Sequence, residues 1–491
     1  MSPLLTRPAA RRGPAGWHCR ADDAPSGVTA GECGAGPLID GPIDALVPPT
    51  SMRPPMRPTT IRTSVRFVVR QGDLMFRDAA EHGEVLRYTL AGGPGEVVTV
   101  CNPAHIKALM TADPRIVPSA TRRSPLAPIV GPESVLTSIG SRHRQQRAML
   151  LPRFHGKAVA AYTEAIEVAT ATRIDAWPAG VDVRLAGLAQ QITLDIIMSA
   201  VFGIAIGRRG EAPSMSPAEQ AVRTSTLRLL RASAHPAAAV AQLLNARTTK
   251  PVGLTTMLLA PLDRAVFALL AERRAAGDDR ADVVTLLLGA RDDSGQPLSD
   301  SEIRDELLTL VLAGHETTAN TVAWTFERLT RNPRVYDDAR DAARAGDADY
   351  LEALLNESMR SRPVVPIVAR ELLTPWHFGS HEVDAGVTAF VSILLLHHRD
   401  DLYPRPFAFD PQRFLGVRPS PHELMPFGGG IRRCLGAPLA MAELRVVVAE
   451  ILRRVDLETH DRPAERPRHR NVTMIPGEGG RVRARAVRRT G

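Results

Sequence analysis

Lysine is nearly missing from this chain. Lys107, Lys157 and Lys250 are the only three among 61 basic residues, so the formal net charge of +8 is carried by arginine. A bias of that kind reflects genome composition; aromatics stand at 4% and no nucleic-acid-binding module is recognisable, which argues against a polynucleotide partner. Cysteine is scarce too: Cys19, Cys33, Cys101 and Cys434 make no disulfide framework in a chain of 491 residues, which fits a reducing compartment. No run comes near the eighteen or more apolar residues of a membrane span, and the N-terminus lacks the apolar core of a signal peptide. The expectation is a cytoplasmic protein with no transmembrane anchor. No internal repeat, Rossmann glycine fingerprint or further cysteine cluster marks a second module.

One of those few cysteines sits in an unusual setting. The run Phe427-Gly428-Gly429-Gly430-Ile431-Arg432-Arg433-Cys434-Leu435-Gly436 places it in a glycine-rich loop, beside two arginines and just before a helix. Glycines let the backbone fold closely around a flat ligand and aim N–H groups at the sulfur. Nearby positive charge and the following helix N-terminus are expected to lower the thiol pKa and make the sulfur a metal ligand. The competing reading is a turn with an incidental buried cysteine.

Other segments carry matching chemistry. Ser299 and Glu302 form a capping box that starts a long helix, with Leu307, Leu308, Val311 and Leu312 at helical spacing. In its middle lies Ala313-Gly314-His315-Glu316-Thr317-Thr318. Gly314 removes a side chain where a flat cofactor could approach, the Thr317 hydroxyl can bond the carbonyl of Ala313, and Glu316 supplies an acid beside it. Glu357 and Arg360 stand at i and i+3 on one helix face, and His143 and Arg147 at i and i+4 on another. Taken singly, each of these pairs is ordinary surface; only their registration with the cysteine loop gives them weight.

The spacing Phe-x-x-Gly-x-Arg-x-Cys-x-Gly from Phe427 to Gly436 resembles the haem-binding loop of the cytochromes P450. Ala313 to Thr318 resembles that family's oxygen-handling helix segment, and Glu357-x-x-Arg360 with Pro411-Gln412-Arg413-Phe414 resembles its structural triad. The resemblance implies Cys434 as the axial ligand of a haem b iron (iron protoporphyrin IX), a ligation that favours O–O bond cleavage. It implies Gly314, Phe427 and Gly436 against the cofactor, and Glu316 with Thr317 as the proton-relay pair. Glu357, Arg360 and Arg413 would be a buried structural triad, with no catalytic part. His143, where many members have tryptophan, with Arg147, Arg370 and Arg432 would hold the two propionates. The implied fold is mainly α with small β-sheets (α+β), in a single large domain over residues 59–486. The implied reaction inserts one atom of O2 into a small apolar organic substrate, such as a lipid, terpenoid, steroid or polyketide. Electrons would come from a separate ferredoxin-type donor with its reductase. Two rivals stay open: a peroxide-using or isomerising haem-thiolate enzyme, and a haem-binding sensor without turnover.

Along the chain, residues 1–58 are rich in Pro, Gly, Ala and Arg without periodicity and read as a disordered extension, with the start codon itself in question at Met52 or Met56. Val85 to Leu90 and Val97 to Cys101 flank a glycine-rich turn and predict a β-hairpin; Asn102-Pro103 predicts a capped helix start. Pro217, Pro236 and Pro251 are expected to break residues 214–260 into short helices over the substrate pocket. Arg470 to Pro476 resembles the family's pocket-lining β segment, and residues 487–491 read as a basic tail. Arg432, Arg433 and Arg445 are expected to form a basic face for an acidic electron donor.

Overall fold

The computed structural model describes residues 71–489, apart from 91–94, 207–213, 234–244, 246–247, 249 and 278–279. The extension over residues 1–58, Cys19 and Cys33 therefore lie outside the described residues, as does Pro236. Helices dominate, and the longest, Asp300–Leu329, organises the rest. Its capping box forms as the sequence predicts: the Ser299 hydroxyl accepts the Glu302 N–H, and the Glu302 carboxylate accepts the Ser299 N–H. Most of this helix is buried, because Leu185–Phe202 packs along one side while Ala348–Ser361 and Ala437–Arg454 pack on others. One apolar core holds these helices together, including Ile192, Leu194, Leu307, Phe326, Leu354 and Val447.

A second apolar cluster belongs to a mixed four-stranded sheet in the order Val85–Leu90, Gly95–Val100, Thr388–Ser392, Ile367–Glu371. The first two strands form the predicted hairpin, Val85 opposite Val100. Asn102 then caps the helix Pro103–Thr111, its side chain accepting the Ala104 N–H at 2.9 Å. Among the described residues the one parallel pairing in this sheet joins Val97–Val100 to Thr388–Val391, segments far apart in the chain. Among the described residues three small antiparallel sheets complete the β content, one of them the hairpin of Pro467–Arg470 with Thr473–Pro476, which turns at Asn471 with φ +54°.

Three sequence expectations need correction. Pro217 does not break a helix: it opens the continuous Pro217–Ser233, where a missing N–H costs nothing, whereas Pro251 lies in the gap before Leu254–Ala276 as expected. Two helices, Leu185–Phe202 and Leu254–Ala276, are long and apolar enough to cross a membrane, each with a mean hydropathy of 1.5 over its best window. The first is a core helix against Asp300–Leu329; the second leaves Leu254, Met257 and Phe267 exposed. Last, Val487 pairs with Val455, so the final strand runs one residue into the segment read as a tail.

Candidate functional site

Between Met425 and Gly436 the backbone is wound by its own hydrogen bonds. Gly428 N–H donates to Met425 O at 3.0 Å, and Cys434 N–H donates to Phe427 O at 2.9 Å, closing the loop on itself. Gly430 has φ +63°, and a Cβ there would lie 2.5 Å from the Met110 carbonyl oxygen, so only glycine permits this approach. Gly436 follows at the N-terminus of Ala437–Arg454 and aims its N–H at the Cys434 sulfur. Cys434 is open to the space in front of the loop, although the surrounding protein is deep on its other sides. Its thiol pKa is raised, contrary to the sequence expectation: burial dominates, and the Gly436 N–H, Arg147 and Arg433 only partly offset it. The neighbouring charges do not by themselves outweigh burial at this sulfur, and a metal bound to it would favour the thiolate.

The loop is braced by a buried ion-pair cluster. Arg360 grips Glu357 with both prongs, Nε to Oε2 at 2.7 Å and Nη2 to Oε1 at 2.8 Å, and neither side chain is exposed at all. Arg413, on the turn Pro411–Phe414, completes the triad at 3.1 Å from Glu357 Oε2. Asp410 N–H donates to Glu357 Oε1 at 2.8 Å, and Arg360 spends its remaining N–H groups on the carbonyls of His397, Pro406 and Ala408. The i, i+3 pair was legible in the sequence; the carbonyls that absorb Arg360 were not.

A second group of basic side chains lies on the open side of the cysteine. His143 on Gly140–Leu150, Arg370 on Ile367–Glu371 and Arg432 in the loop are close enough to act on one another, with Arg147 joining them. Burial first, then the positive charge of Arg432, Arg147 and Arg370, pushes His143 down to about 4. Burial lowers Arg370 to about 10, and burial with the charges of Arg370, Arg147 and Arg122 does the same to Arg432. None of the charges acting most strongly on these groups is a carboxylate. His143 Nδ1 and Arg432 Nε are buried with no hydrogen-bond partner among the described residues. Arg432 instead donates to the carbonyls of Val135 at 2.9 Å and Leu136 at 3.3 Å, and also to that of Ser138. Buried and half-buried arginines facing one another without an acid, with a neutral histidine among them and an open thiol beside them, suit a flat dianionic iron-bearing group such as haem, so the residues present fit it.

On the long helix the Thr317 hydroxyl donates to Ala313 O at 2.8 Å, the predicted bond. Ala313 is exposed toward the open side, whereas Gly314 is not the gap the sequence implied. A Cβ on Gly314 would lie 2.7 Å from Ile197 Cδ1, so this glycine lets Leu185–Phe202 approach closely, and its assignment to the cofactor is withdrawn. Glu316 lies 3.1 Å from Arg470, at the end of the C-terminal hairpin, and also meets the Thr473 hydroxyl. Its pKa is raised, burial outweighing Arg470 and Thr473. Two further buried acids escaped sequence reasoning because nothing near them in the chain signals burial: Glu306, bonded by Val135 N–H at 3.0 Å, and Glu443, bonded to Thr318, each pushed up to about 8 by burial.

Hydrogen bonds also tie distant segments of the chain to one another. Ser134 and Thr309 hydroxyls meet at 2.5 Å, Glu371 N–H donates to Pro118 O at 2.9 Å, and Met474 N–H donates to Val364 O at 2.7 Å. A separate open groove of about 400 Å³, lined by Glu167, Leu351, Arg445 and Arg453, holds none of the site residues. The expected basic docking face is thinner than the sequence implied: Arg432 turns inward, and Arg445 is engaged by Glu352 at 2.5 Å, leaving Arg433.

Comparison with known proteins agrees with this geometry. The family model described as "Cytochrome P450" matches residues 71–482. The chain is 37% identical over 434 residues to cytochrome P450 135B1 of Mycobacterium bovis, covering 86% of this chain and 89% of that protein. It is 35% identical to cytochrome P450 137 of Mycobacterium tuberculosis, over 80% of this chain and 82% of that one. Among solved structures, the retinoic acid-bound cyanobacterial CYP120A1 superposes with a TM-score of 0.72 at 22% identity, covering 89% of this chain and all of the other. A structure of cytochrome P450 CYP102L1 gives a TM-score of 0.73, also at 22% identity.

Proposed function

The chain belongs to the cytochrome P450 family of haem-thiolate monooxygenases, which use O2 and redox partners, and from that premise we propose the finer reading of this member. It oxidises a small apolar organic substrate, a lipid, terpenoid, steroid or polyketide, with electrons from a ferredoxin-type donor and its reductase, in the cytoplasm. The observation that carries this reading is the Cys434 sulfur, bonded by Gly436 N–H and opening toward an acid-free group of buried basic side chains. Cys434 would ligate the iron of haem b, with Phe427 and Gly436 shaping the loop around it. His143, Arg147, Arg370 and Arg432 would hold the propionates, Arg432 exchanging loop carbonyls for a carboxylate. Bound haem would supply reductive activation of O2.

The chain's own residues then control water and protons. Thr317, bonded to Ala313 O, relaxes the helix turn facing the open side and can present its hydroxyl there. Glu316, whose pKa burial raises, is the acid from which a proton reaches that hydroxyl, and Arg470 with Thr473 fixes where its carboxyl waits. Aliphatic residues in the surrounding segments, Val364, Leu308, Val311 and Met474 among them, support an apolar substrate.

The test is the carbon monoxide difference spectrum of the dithionite-reduced protein. The unmodified protein should give the strongly red-shifted Soret band of thiolate ligation, and Cys434→Ser should lose it. Retention of that band in the serine variant would remove Cys434 from the iron and withdraw the reading.

A further inference from the structure

His397 follows directly on the short helix Ile393–Leu396, is completely buried, and belongs to no motif that the sequence singled out. Its ring nevertheless spans the two structures on which the haem-thiolate reading depends. Met425 N–H, where the cysteine loop begins, donates to His397 Nε2 at 2.8 Å. Because a backbone N–H can only donate, Nε2 must be the acceptor, and the proton of the neutral ring must sit on Nδ1. Nδ1 is turned toward the carbonyls of Met359 and Arg360 in the last turn of Ala348–Ser361, the helix that carries Glu357 and Arg360, without completing a full hydrogen bond to either. The main chain of the same residue is held too, its carbonyl accepting Arg360 Nη1 at 2.7 Å.

Tyr403 encloses this bridge. Its ring meets the imidazole edge to face at 6.5 Å, lies under the Arg360 guanidinium at 5.3 Å, and sends its hydroxyl to Glu423 O at 3.1 Å, two residues before Met425. Burial and then the Arg360 charge push His397 down to about 3, so Nε2 keeps its lone pair at any working pH. Met425 in turn fixes the loop, its carbonyl taking Gly428 N–H and its side chain lying against Gly429.

We infer that His397 is a positioning residue for Cys434, a neutral imidazole through which the Glu357–Arg360 cluster sets the height and angle of the cysteine loop. The inference rests on the haem-thiolate reading for its consequence, but the bridge itself is testable without it. His397→Phe keeps the volume and the ring contact with Tyr403 while removing the acceptor, and His397→Gln keeps an acceptor of similar reach. In the purified holoenzyme, hydrogen exchange at Met425 should quicken roughly tenfold or more in His397→Phe, as for a buried N–H losing its partner. Part of its reduced carbon monoxide complex should move from the thiolate band to the thiol band, and His397→Gln should return both readouts toward the parent.

Parent-like exchange and an undiminished thiolate band in His397→Phe would show that the ring only fills space and would overturn the inference. Should His397→Phe not fold, His397→Gln decides. A folded glutamine variant with parent-like protection and band upholds the bridge, and one that has lost both sinks it. A parent protein with no thiolate band would count against the functional reading, while its Met425 exchange against the variants would still judge His397.

Discussion

Two buried groups of basic side chains lie on opposite sides of the cysteine loop, and they differ in one respect. In the Glu357 cluster both guanidinium groups share one acid, Arg360 bidentate on Glu357 and Arg413 3.1 Å from the same carboxylate, whereas Arg370 and Arg432 reach carbonyls instead. In the His143, Arg147, Arg370 and Arg432 group there is no carboxylate, and the charges lower one another. A guanidinium does not readily discharge itself by losing its proton, so the second group keeps its positive charge without an acid to balance it, which is what the proposed propionate-binding role would use. Glu306 and Glu443 are the mirror case: buried acids with no paired cation respond by keeping their protons, at about 8.

The contrast breaks most severely at Glu357. Glu357→Ala strands two buried guanidinium groups and should cost about 3–5 kcal/mol, read as a collapse of denaturant midpoint and of haem-loaded yield. A variant with normal stability would mean the cluster is not the brace described. Next comes Glu443. Its folded-state pKa is raised from 4.5 to about 8, so its contribution is whole below about 4.5 and fades as pH climbs toward 8, where the unfolded chain has already released the proton. Glu443→Gln should flatten that decline, gaining stability over the parent by at most about 1.4 kcal/mol per pH unit across the window. Equal slopes in both proteins would show the carboxyl to be ionised. The smallest effect carries the sharpest sign. Arg370→Ala gives up bonds to Ala369 O and Gly429 O but relieves repulsion with Arg432, so the haem-free protein should change little in stability, yet haem binding should weaken about tenfold or more as a charge-assisted bond is lost. Destabilisation of the haem-free form would place Arg370 with the structural arginines instead.

Much of this was legible where function rests on neighbours in sequence. The Ser299–Glu302 capping box, the Glu357–Arg360 pair and the Thr317–Ala313 bond each span three or four residues, and helical geometry alone brings them together. Arg413 was found only through family resemblance, because its distance from Glu357 in the chain says nothing of contact. His397 and Arg470 left no signal: the bond of His397 to Met425 and the pairing of Arg470 with Glu316 are decisions of the tertiary fold. Gly314 was misread for a related reason. A glycine in a helix announces that something comes close, but the sequence does not say whether it is a cofactor or, as here, Ile197. The thiol was misjudged because local charge is written in the sequence and burial is not.

The parallel pairing of Val97–Val100 with Thr388–Val391 also has a consequence in time. About 290 residues separate these partners, so at ribosomal speed the Val85–Val100 hairpin waits roughly 15–60 s for the strand that covers it. A two-stranded hairpin is marginal alone, and this one carries Val97, Val98 and Val100, which end fully buried. During synthesis that unpaired edge is an aggregation hazard, and a burden on chaperones should fall there, long before the cysteine loop exists.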